Sequence, residues 1–347
     1  MVTGGGRVAE VDVTTSLADA LAAMAQTGVA VVRDDGRLVG TVTDASLRTA
    51  VLDGAAHDLP LGQLSLGEPV WVGADDQDEA VAEVLRRSHL TTVPMVAGDV
   101  VVGVRRASEV GVGSVPTTAV ILAGGRGSRL APLTDKVPKP LLSIGGRTIL
   151  ERILENLALA QITDVHLAVN YLAEVFEDRL GDGSAAGVHL TYLHERQPLD
   201  TAGALSLLPA APPGPVLVMN ADQISSLPFD RLVEHHVRSG AAITVAAFEH
   251  AVAVPYGVLR LEGATVVGIE EKPTLRMPCN AGIYVLEPEV LAMVPPDTPY
   301  QMPALIEAAM ADGMAVGAFP IVERFIDIGT REELDKAFLW FATGEEE

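Results

Sequence analysis

Hydrophobic and polar positions along this chain follow two rhythms. From Ser16, apolar residues at Leu17, Leu21 and Met24 keep a helical spacing, and the unbroken apolar run Val29 to Val32 then predicts a strand. The same order returns from Asp78, with Val81, Val84 and Leu85 on a helix and Val93 to Val96 as a strand. Each copy passes through a short polar turn, Asp34-Asp35-Gly36 or Gly98-Asp99, into a second strand, Leu38 to Val42 or Val100 to Val104. The repeat period is about 60 residues. A unit of that size cannot close its own core, so the two copies are expected to pack face to face.

Small and turn residues interrupt the apolar pattern between Gly111 and Thr117. This places a first domain at 1–112, a linker at 113–117 and a second domain at 118–347. Beyond Thr118, strands and helices alternate. The expected strands are Ala119 to Leu122, Val165 to Val169, Val188 to Leu193, Val216 to Met219, Ala242 to Ala247, Gly282 to Leu286 and Ala315 to Pro320. Helical periodicity covers Thr148 to Ala160, Leu172 to Leu180 and Ala202 to Leu208. Such alternation predicts right-handed crossovers and an α/β fold, Rossmann-like, with a mainly parallel mixed sheet flanked by helices. Ligands then belong at the carboxyl ends of the strands. Two turns lie there: the glycines after Leu122, and Asn220-Ala221-Asp222 after Met219.

Composition narrows the chemistry. With 48% apolar but only 4% aromatic residues, the core is aliphatic. A formal charge of -22 repels nucleic acid and anionic membrane over most of the surface. An anionic substrate therefore needs a local cationic pocket and a metal ion. Cys279 is the single cysteine, which excludes an internal disulfide and suits a small buried hydrophobe. No stretch approaches a membrane span, so a cytoplasmic location is expected. The eight histidines show no metal-ligand spacing, and the adjacent His235 and His236 are expected on a solvated helix face. Glu345, Glu346 and Glu347 read as a frayed tail.

The densest chemistry is the stretch VILAGGRGSRLAPLTDKVPKPLL, from Val120 to Leu142. A strand that breaks at Gly124 and Gly125 bares backbone N–H groups where no Cβ obstructs a phosphate. Arg129 and Lys139 add fixed positive charge. The spacing G-G-x-G-x-R differs from the dinucleotide pattern G-x-G-x-x-G, and no Lys-Ser or Lys-Thr pair follows as in a Walker loop.

Taken with NYLAEVFEDRLGDG from Asn170, QPLDTAGAL from Gln197, VLVMNAD ending at Asp222, PYGV from Pro255, EEKP from Glu270, NAGIYVL from Asn280 and FIDIGT from Phe325, this stretch resembles the signature of the sugar-1-phosphate nucleotidyltransferases. The resemblance spans Val120 to Lys336. It implies the GT-A-like fold of that family and attack by a sugar-1-phosphate oxygen on the α-phosphorus of a nucleoside triphosphate. Carried over by position, Leu122, Ala123, Gly124, Gly125, Gly127 and Ser128 would lie against the nucleotide, as would Gln197, Asp200 and Thr201. Arg129, Lys139 and Lys272 would be catalytic, neutralising phosphate charge at the reacting centre. Gly257, Glu271, Lys272 and Asn280 would bind the sugar phosphate, and Asp222 and Asp327 would hold Mg²⁺.

Two positions depart from the family pattern: Asp200 stands where the family has Gly, and Ala221 stands where it has Gly before the metal aspartate. That first turn lies against the nucleobase in the family. A carboxylate there can accept both N1–H and N2–H of guanine, which favours GTP. The resemblance extends to a subset making GDP-linked sugars, with cyclitol-1-phosphates as related substrates and a homo-oligomer as the expected assembly. The first domain, through its repeat and GTVTDASLR from Gly40, resembles a paired CBS (Bateman) module. In that family a carboxylate holds a nucleotide ribose at the position of Ser46, and GVRRASEV in the second copy keeps neither hydroxyl nor acid in a comparable place. Packing or assembly is therefore expected of this module ahead of nucleotide sensing. A regulatory or assembly protein with a quiet transferase domain is the alternative reading of the whole chain.

Overall fold

The computed structural model describes residues 8–25, 27–64, 70–88, 90–98, 100–110 and 117–342. The linker expected at 113–117, apart from Thr117, and the tail at 345–347 lie outside these residues, as does Asp99.

The N-terminal repeat is present as two small units. The first runs β1 (Ala9–Asp12), α1 (Leu17–Ala23), β2 (Val29–Asp34), β3 (Arg37–Thr43) and α2 (Asp44–Leu52). The second runs β4 (Val72–Gly73), α3 (Asp78–Ser88), β5 (Thr92–Ala97) and β6 (Val100–Arg106). Each forms a three-stranded sheet, and Val29 and Val31 of the first pack with Val101 and Val104 of the second. Burying these valines joins two units that are each too small to close a core. Ser46 is spent locally: its hydroxyl accepts from Thr43 N at 3.0 Å and donates to the Thr43 carbonyl at 2.8 Å, forming a capping box that starts α2.

The second domain continues with β7 (Thr118–Leu122), the small hairpin β8 (Ser143–Ile144) and β9 (Arg147–Thr148), α4 (Ile149–Leu159), β10 (Asp164–Val169), α5 (Ala173–Leu180), β11 (His189–His194) and α6 (Asp200–Gly203). Then come β12 (Val216–Asn220), β13 (Gln223–Ser225), α7 (Phe229–Ser239), β14 (Ile243–Ala253), β15 (Val258–Glu262), β16 (Thr265–Glu270) and β17 (Thr274–Leu286). It closes with α8 (Pro288–Leu291), α9 (Met302–Ala311), β18 (Val316–Ile321), β19 (Phe325–Asp327) and α10 (Arg331–Ala342). The seven-stranded sheet has the order β11-β10-β7-β12-β17-β14-β18, parallel throughout except for β17. Alternate residues feed opposite faces: Ala119, Ile121, Leu217 and Met219 enter one core cluster, while Val120, Val216 and Val218 enter the other. The topology puts the ends of β7 and β12 side by side, because the two strands pair in register from Thr118↔Val216 to Leu122↔Asn220.

Several expected elements shift. The helix expected at Thr148 to Ala160 runs Ile149–Leu159, with Thr148 as its N-cap and Glu151 completing a capping box. The helix expected at Ala202 to Leu208 begins earlier, at Asp200, and tightens into a 3₁₀ turn over Ala204–Leu207. The strands expected at Ala242 to Ala247 and Gly282 to Leu286 are the buried parts of β14 and β17. Both strands run on as a ribbon whose side chains are mostly exposed, so the apolar signal fades there while pairing persists from Ala247↔Asn280 to Ala253↔Thr274. Cys279 lies on that ribbon and is only partly buried, contrary to the expectation of a core residue. No described helix is long and apolar enough to cross a membrane.

The solvated face expected for His235 and His236 is corrected outright. His236 is 0% exposed, with Nδ1 2.8 Å from Thr244 Oγ1 and Nε2 3.1 Å from Glu287 Oε1. His235 packs edge-on against Phe319 with ring centroids 5.3 Å apart. The apolar sheet covers this side of α7, and a neutral imidazole meets both partners by accepting at Nδ1 and donating at Nε2. Burial pushes His236 down to about 4 from 6.5. Between those values the unfolded chain takes up a proton that the folded chain refuses. The contribution is therefore intact above 6.5 and lost as pH falls toward 4, at up to about 1.4 kcal/mol per pH unit. Urea melts across this window should show a steeper loss for the parent than for His236→Gln, and parallel curves would refute the assignment.

Candidate active site

The site forms where β7 and β12 end together. After Leu122 the chain turns through the glycines into a 3₁₀ turn at Ser128–Leu130. Gly127 has φ +61, and a Cβ there would come within 3.1 Å of both Lys139 Cβ and Thr134 Cγ2. The Thr134 hydroxyl donates to the Gly127 carbonyl at 2.9 Å, pinning the loop. At Gly124 a Cβ would lie 2.6 Å from Glu195 Oε1. Backbone conformation and close approach thus call for glycine at Gly127, while a side chain at Gly124 would have to displace the Glu195 carboxylate.

Pro138 and Pro140 flank Lys139 in a second 3₁₀ turn, which buries the lysine stem. Its Nζ lies 2.6 Å from Asp222 Oδ2. Asp222 is anchored at the other end of the cleft by its neighbours: Ala221 N donates to the Leu122 carbonyl at 3.1 Å, and Ile328 N donates to the Asp222 carbonyl at 3.0 Å. Its Oδ1 is buried with no hydrogen-bond partner among the described residues. The short antiparallel pair β13 and β19 sets Gln223 opposite Asp327, so the two aspartates emerge at adjacent strand ends. Asp327 has its carboxyl pushed above the ordinary range, first by protein crowding and then by the Asp222 charge, while Lys139 and Arg129 oppose the shift. The residue as a whole is nonetheless exposed. Arg129 reaches the Gly329 turn, where a Cβ would meet Nη1 at 3.3 Å.

One cleft of about 260 Å³ is lined by Leu122, Ala123, Gly125, Gly127, Ser128, Arg129, Lys139 and Asp222, together with Ala221 and Gly329. Gly124 underlies it against Glu195. A buried, unpaired carboxylate oxygen beside a second carboxylate is a donor set that fits a hard divalent cation, with the remaining ligands supplied by water or substrate oxygens. No group of three or more His, Cys, Asp or Glu residues placed to hold a metal occurs among the described residues. Such a cation would therefore rely on Asp222 and Asp327.

Other expected site residues lie outside this cleft. Gln197 Nε2 donates to the Asp297 carbonyl at 3.1 Å, and the Thr201 hydroxyl accepts from Met302 N at 2.8 Å, so both tie the α6 turn to the 297–302 segment. Asp200 is exposed at the start of α6 with φ +59, a left-handed conformation that glycine would adopt without cost and that Asp tolerates better than most residues. Gly257 and Glu271 adjoin, since a Cβ at Gly257 would lie 2.9 Å from Glu271 Oε2. Lys272 turns with φ +48 beside them, its N donating to the Tyr256 carbonyl at 3.3 Å. Asn280 Nδ2 donates to the Tyr284 hydroxyl at 2.8 Å, and Asn280 Oδ1 accepts from Gly282 N at 2.9 Å. Asn280 alone of these is joined to the end of β12, through Gly282, where a Cβ would meet Asn220 and Gln223, and through the Gln223 amide, which donates to the Ala281 carbonyl.

Two contributors escaped the reading of the sequence. Glu195 accepts from Leu199 N at 2.9 Å and faces Gly124, so it links the glycine loop to the Asp200 turn; burial, then the Asp200 charge, raise its carboxyl. Glu333 caps the Gly329 turn, accepting from Gly329 N at 2.9 Å and Thr330 N at 2.6 Å. Neither falls in a glycine or cation motif; only the T-x-x-E spacing of Thr330 and Glu333 gave a signal, that of a capping box.

The nucleotidyl transferase family model matches residues 118–342, and a CBS domain model matches residues 7–53. The chain belongs to the nucleotidyl transferase family. Within that family it is 36% identical over 220 residues to the mannose-1-phosphate guanylyltransferase catalytic subunit beta of Drosophila pseudoobscura pseudoobscura, covering 61% of this chain and 59% of the relative. It is 39% identical over 184 residues to the mannose-1-phosphate guanyltransferase of Saccharomyces cerevisiae, covering 50% of this chain and 51% of the relative. The chain thus spans little more than half the length of the curated relatives it matches. Among solved structures, HddC from Yersinia pseudotuberculosis complexed with GMP-PN superposes with a TM-score of 0.50 at 26% identity, covering 65% of this chain and 99% of that one. A putative glucose-1-phosphate thymidylyltransferase from Bacillus anthracis superposes with a TM-score of 0.53 at 24% identity, over 65% of this chain and 95% of that one, which shows the shared fold.

The paired aspartates generate a stability test. Ionising Asp327 costs stability as pH rises past 3.8, because its folded pKa is raised above that value. In chelator near neutral pH, Asp327→Asn should melt at or above the parent temperature. A clear fall in Tm would show that Lys139 and Arg129 make the ionised carboxylate a net stabiliser.

Proposed function

We propose that this chain transfers the guanylyl group of GTP to a sugar-1-phosphate or sugar-like cyclitol-1-phosphate, releasing pyrophosphate. The observation that carries this reading is the convergence of Arg129, Lys139 and Asp222 on one glycine-floored cleft, with Asp327 at the adjacent strand end. An oxygen of the acceptor phosphate attacks the α-phosphorus, and the bond to the α–β bridging oxygen breaks in line, its electron pair leaving with pyrophosphate. Both reactants are polyanions, so neutralisation and alignment carry the catalysis. Arg129 holds the triphosphate and the departing pyrophosphate, and Lys139 contacts the phosphates at the reacting centre. The Gly124 to Gly127 backbone packs against the nucleotide. When bound by Asp222 and Asp327, Mg²⁺ supplies charge neutralisation at the phosphate oxygens. Glu271, Lys272, Gly257 and Asn280 receive the acceptor, with Lys272 on its phosphate.

Guanine is favoured by three independent supports: the guanylyltransferase names of the relatives, the GMP-PN complex of a structural neighbour, and the exposed carboxylate of Asp200. The names of the relatives put mannose-1-phosphate first among acceptors to try.

Pyrophosphate release measured with four NTPs against several hexose- and cyclitol-1-phosphates should be fastest with GTP; UTP, dTTP or ATP outrunning it would overturn the guanine assignment. Asp200→Gly should reduce the preference for GTP by about 10-fold or more, the worth of a charged hydrogen bond. Asp222→Asn should abolish turnover while leaving the fold intact, and retained activity would make Asp222 a structural residue.

A further inference from the structure

Arg48 lies on α2 of the N-terminal module and is 0% exposed, a rare state for an arginine. Its Nε and Nη2 donate to Asp44 Oδ1 and Oδ2 at 2.8 and 3.0 Å. Its remaining hydrogen bonds cross into the transferase domain. Nη1 donates to the Pro320 carbonyl at 2.7 Å and to Glu323 Oε2 at 3.2 Å, and Nη2 pairs with Glu323 Oε1. The guanidinium plane stands over the Phe319 ring, 4.3 Å from its centroid. Val322, between these contacts, packs into the apolar core of the N-terminal module.

The segment seized in this way has a particular continuation. Residues 319–321 end β18, and the chain passes through Val322 and Glu323 into β19, whose last residue is Asp327. Asp327 depends on the position of this short strand, which is held by three pairings, Gln223↔Asp327, Ile224↔Ile326 and Ser225↔Phe325, by the stacking of Phe325 on Phe248 and by the bond from Ile328 N to the Asp222 carbonyl. A three-residue pair is a weak anchor for a carboxylate crowded against Asp222. The grip on Pro320, Val322 and Glu323 adds an anchor from the N-terminal module where the chain leaves β18. We infer that Arg48 is a positioning residue for Asp327: the N-terminal module holds the strand that carries this metal-binding carboxylate.

The inference rests on the reading of Asp222 and Asp327 as the cation pair. The module's other buried arginine contact provides a control. Arg231 on α7 also joins the two domains, within electrostatic reach of Asp44, donating from Nη1 to Thr91 Oγ1 at 2.5 Å and pairing with Glu234 at 3.0 Å, while its guanidinium occupies the space above Gly28. None of these contacts involves residues 319–327. Loss of either arginine loosens the domain junction, but only loss of Arg48 releases the strand to Asp327.

The test uses the full chain and its Arg48→Lys, Glu323→Gln and Arg231→Lys variants. Mn²⁺ binding is read by EPR without substrates, and Tm is measured alongside. Arg48→Lys and Glu323→Gln should weaken Mn²⁺ binding by about 10-fold, the usual cost of removing an outer support from a metal site. Arg231→Lys should bind Mn²⁺ as the parent does despite its own fall in Tm. In turnover assays the first two variants should need more Mg²⁺ yet approach the parent kcat at saturating metal. Equal Mn²⁺ affinities for the Arg48 and Arg231 variants would overturn the inference, and if Arg48→Lys does not fold, Glu323→Gln decides it alone. A parent that binds no Mn²⁺ would overturn the cation-pair reading and this inference with it. A parent that binds Mn²⁺ but transfers nothing from any NTP would sink the guanylyl-transfer reading and leave the positioning role standing.

Discussion

Two carboxylates set side by side at neighbouring strand ends repel each other, and the rest of this structure is arranged around holding them there. Asp222 is anchored by hydrogen bonds from Ala221 and Ile328 to and from its strand neighbours, and Asp327 by the register of β13 with β19. Lys139, with its stem buried between prolines, offsets part of the repulsion at 2.6 Å from Asp222. In a chain with a formal charge of -22, such a cation is placed against the general trend of the surface. A cluster of this kind is costly for folding, a cost that commonly marks a functional site.

The glycine loop meets a second constraint, which is steric. Gly124 is pressed by Glu195 and Gly127 by Lys139 and Thr134, so the loop cannot carry side chains at those positions without displacing its neighbours. Glu195 also holds the backbone of Leu199 at the turn before Asp200. The floor of the cleft and the turn with the unusual aspartate therefore share one carboxylate, and a shift in either is felt by the other.

Much of this could be read from residue order. The alternation of strands and helices anticipated the sheet, and residues of the run from Val120 to Leu142 line one cleft with Asp222, because local apolar periodicity and glycine spacing record backbone requirements directly. Burial by distant elements leaves no such record. His235 and His236 look like a polar pair on an amphipathic helix, yet α7 lies against the sheet and Thr244 and Glu287 meet the buried ring of His236. The outer parts of β14 and β17 failed to register as strands because neither face is covered, so no alternation was selected there. Arg48 is invisible in sequence for a related reason: its partners Pro320 and Glu323 are more than two hundred residues away.

The ribbon formed by β14 and β17 has a consequence for motion. Each strand begins or ends inside the sheet, where Ile243, Val285 and Leu286 are fully enclosed, and projects at its other end into solvent with Val252, Leu275 and Met277 exposed. Resistance to local opening should fall along the length of a single strand pair, so backbone amides near Ile243 exchange with solvent only on global unfolding while those near Ala253 exchange by fraying. Gly257, Glu271 and Lys272 sit at the loose end, whereas the glycine loop follows β7 just beyond the level where β12 pairs with the buried Ile283 of β17. A ligand of the loop meets a surface already in place, whereas a ligand of the ribbon must also order it.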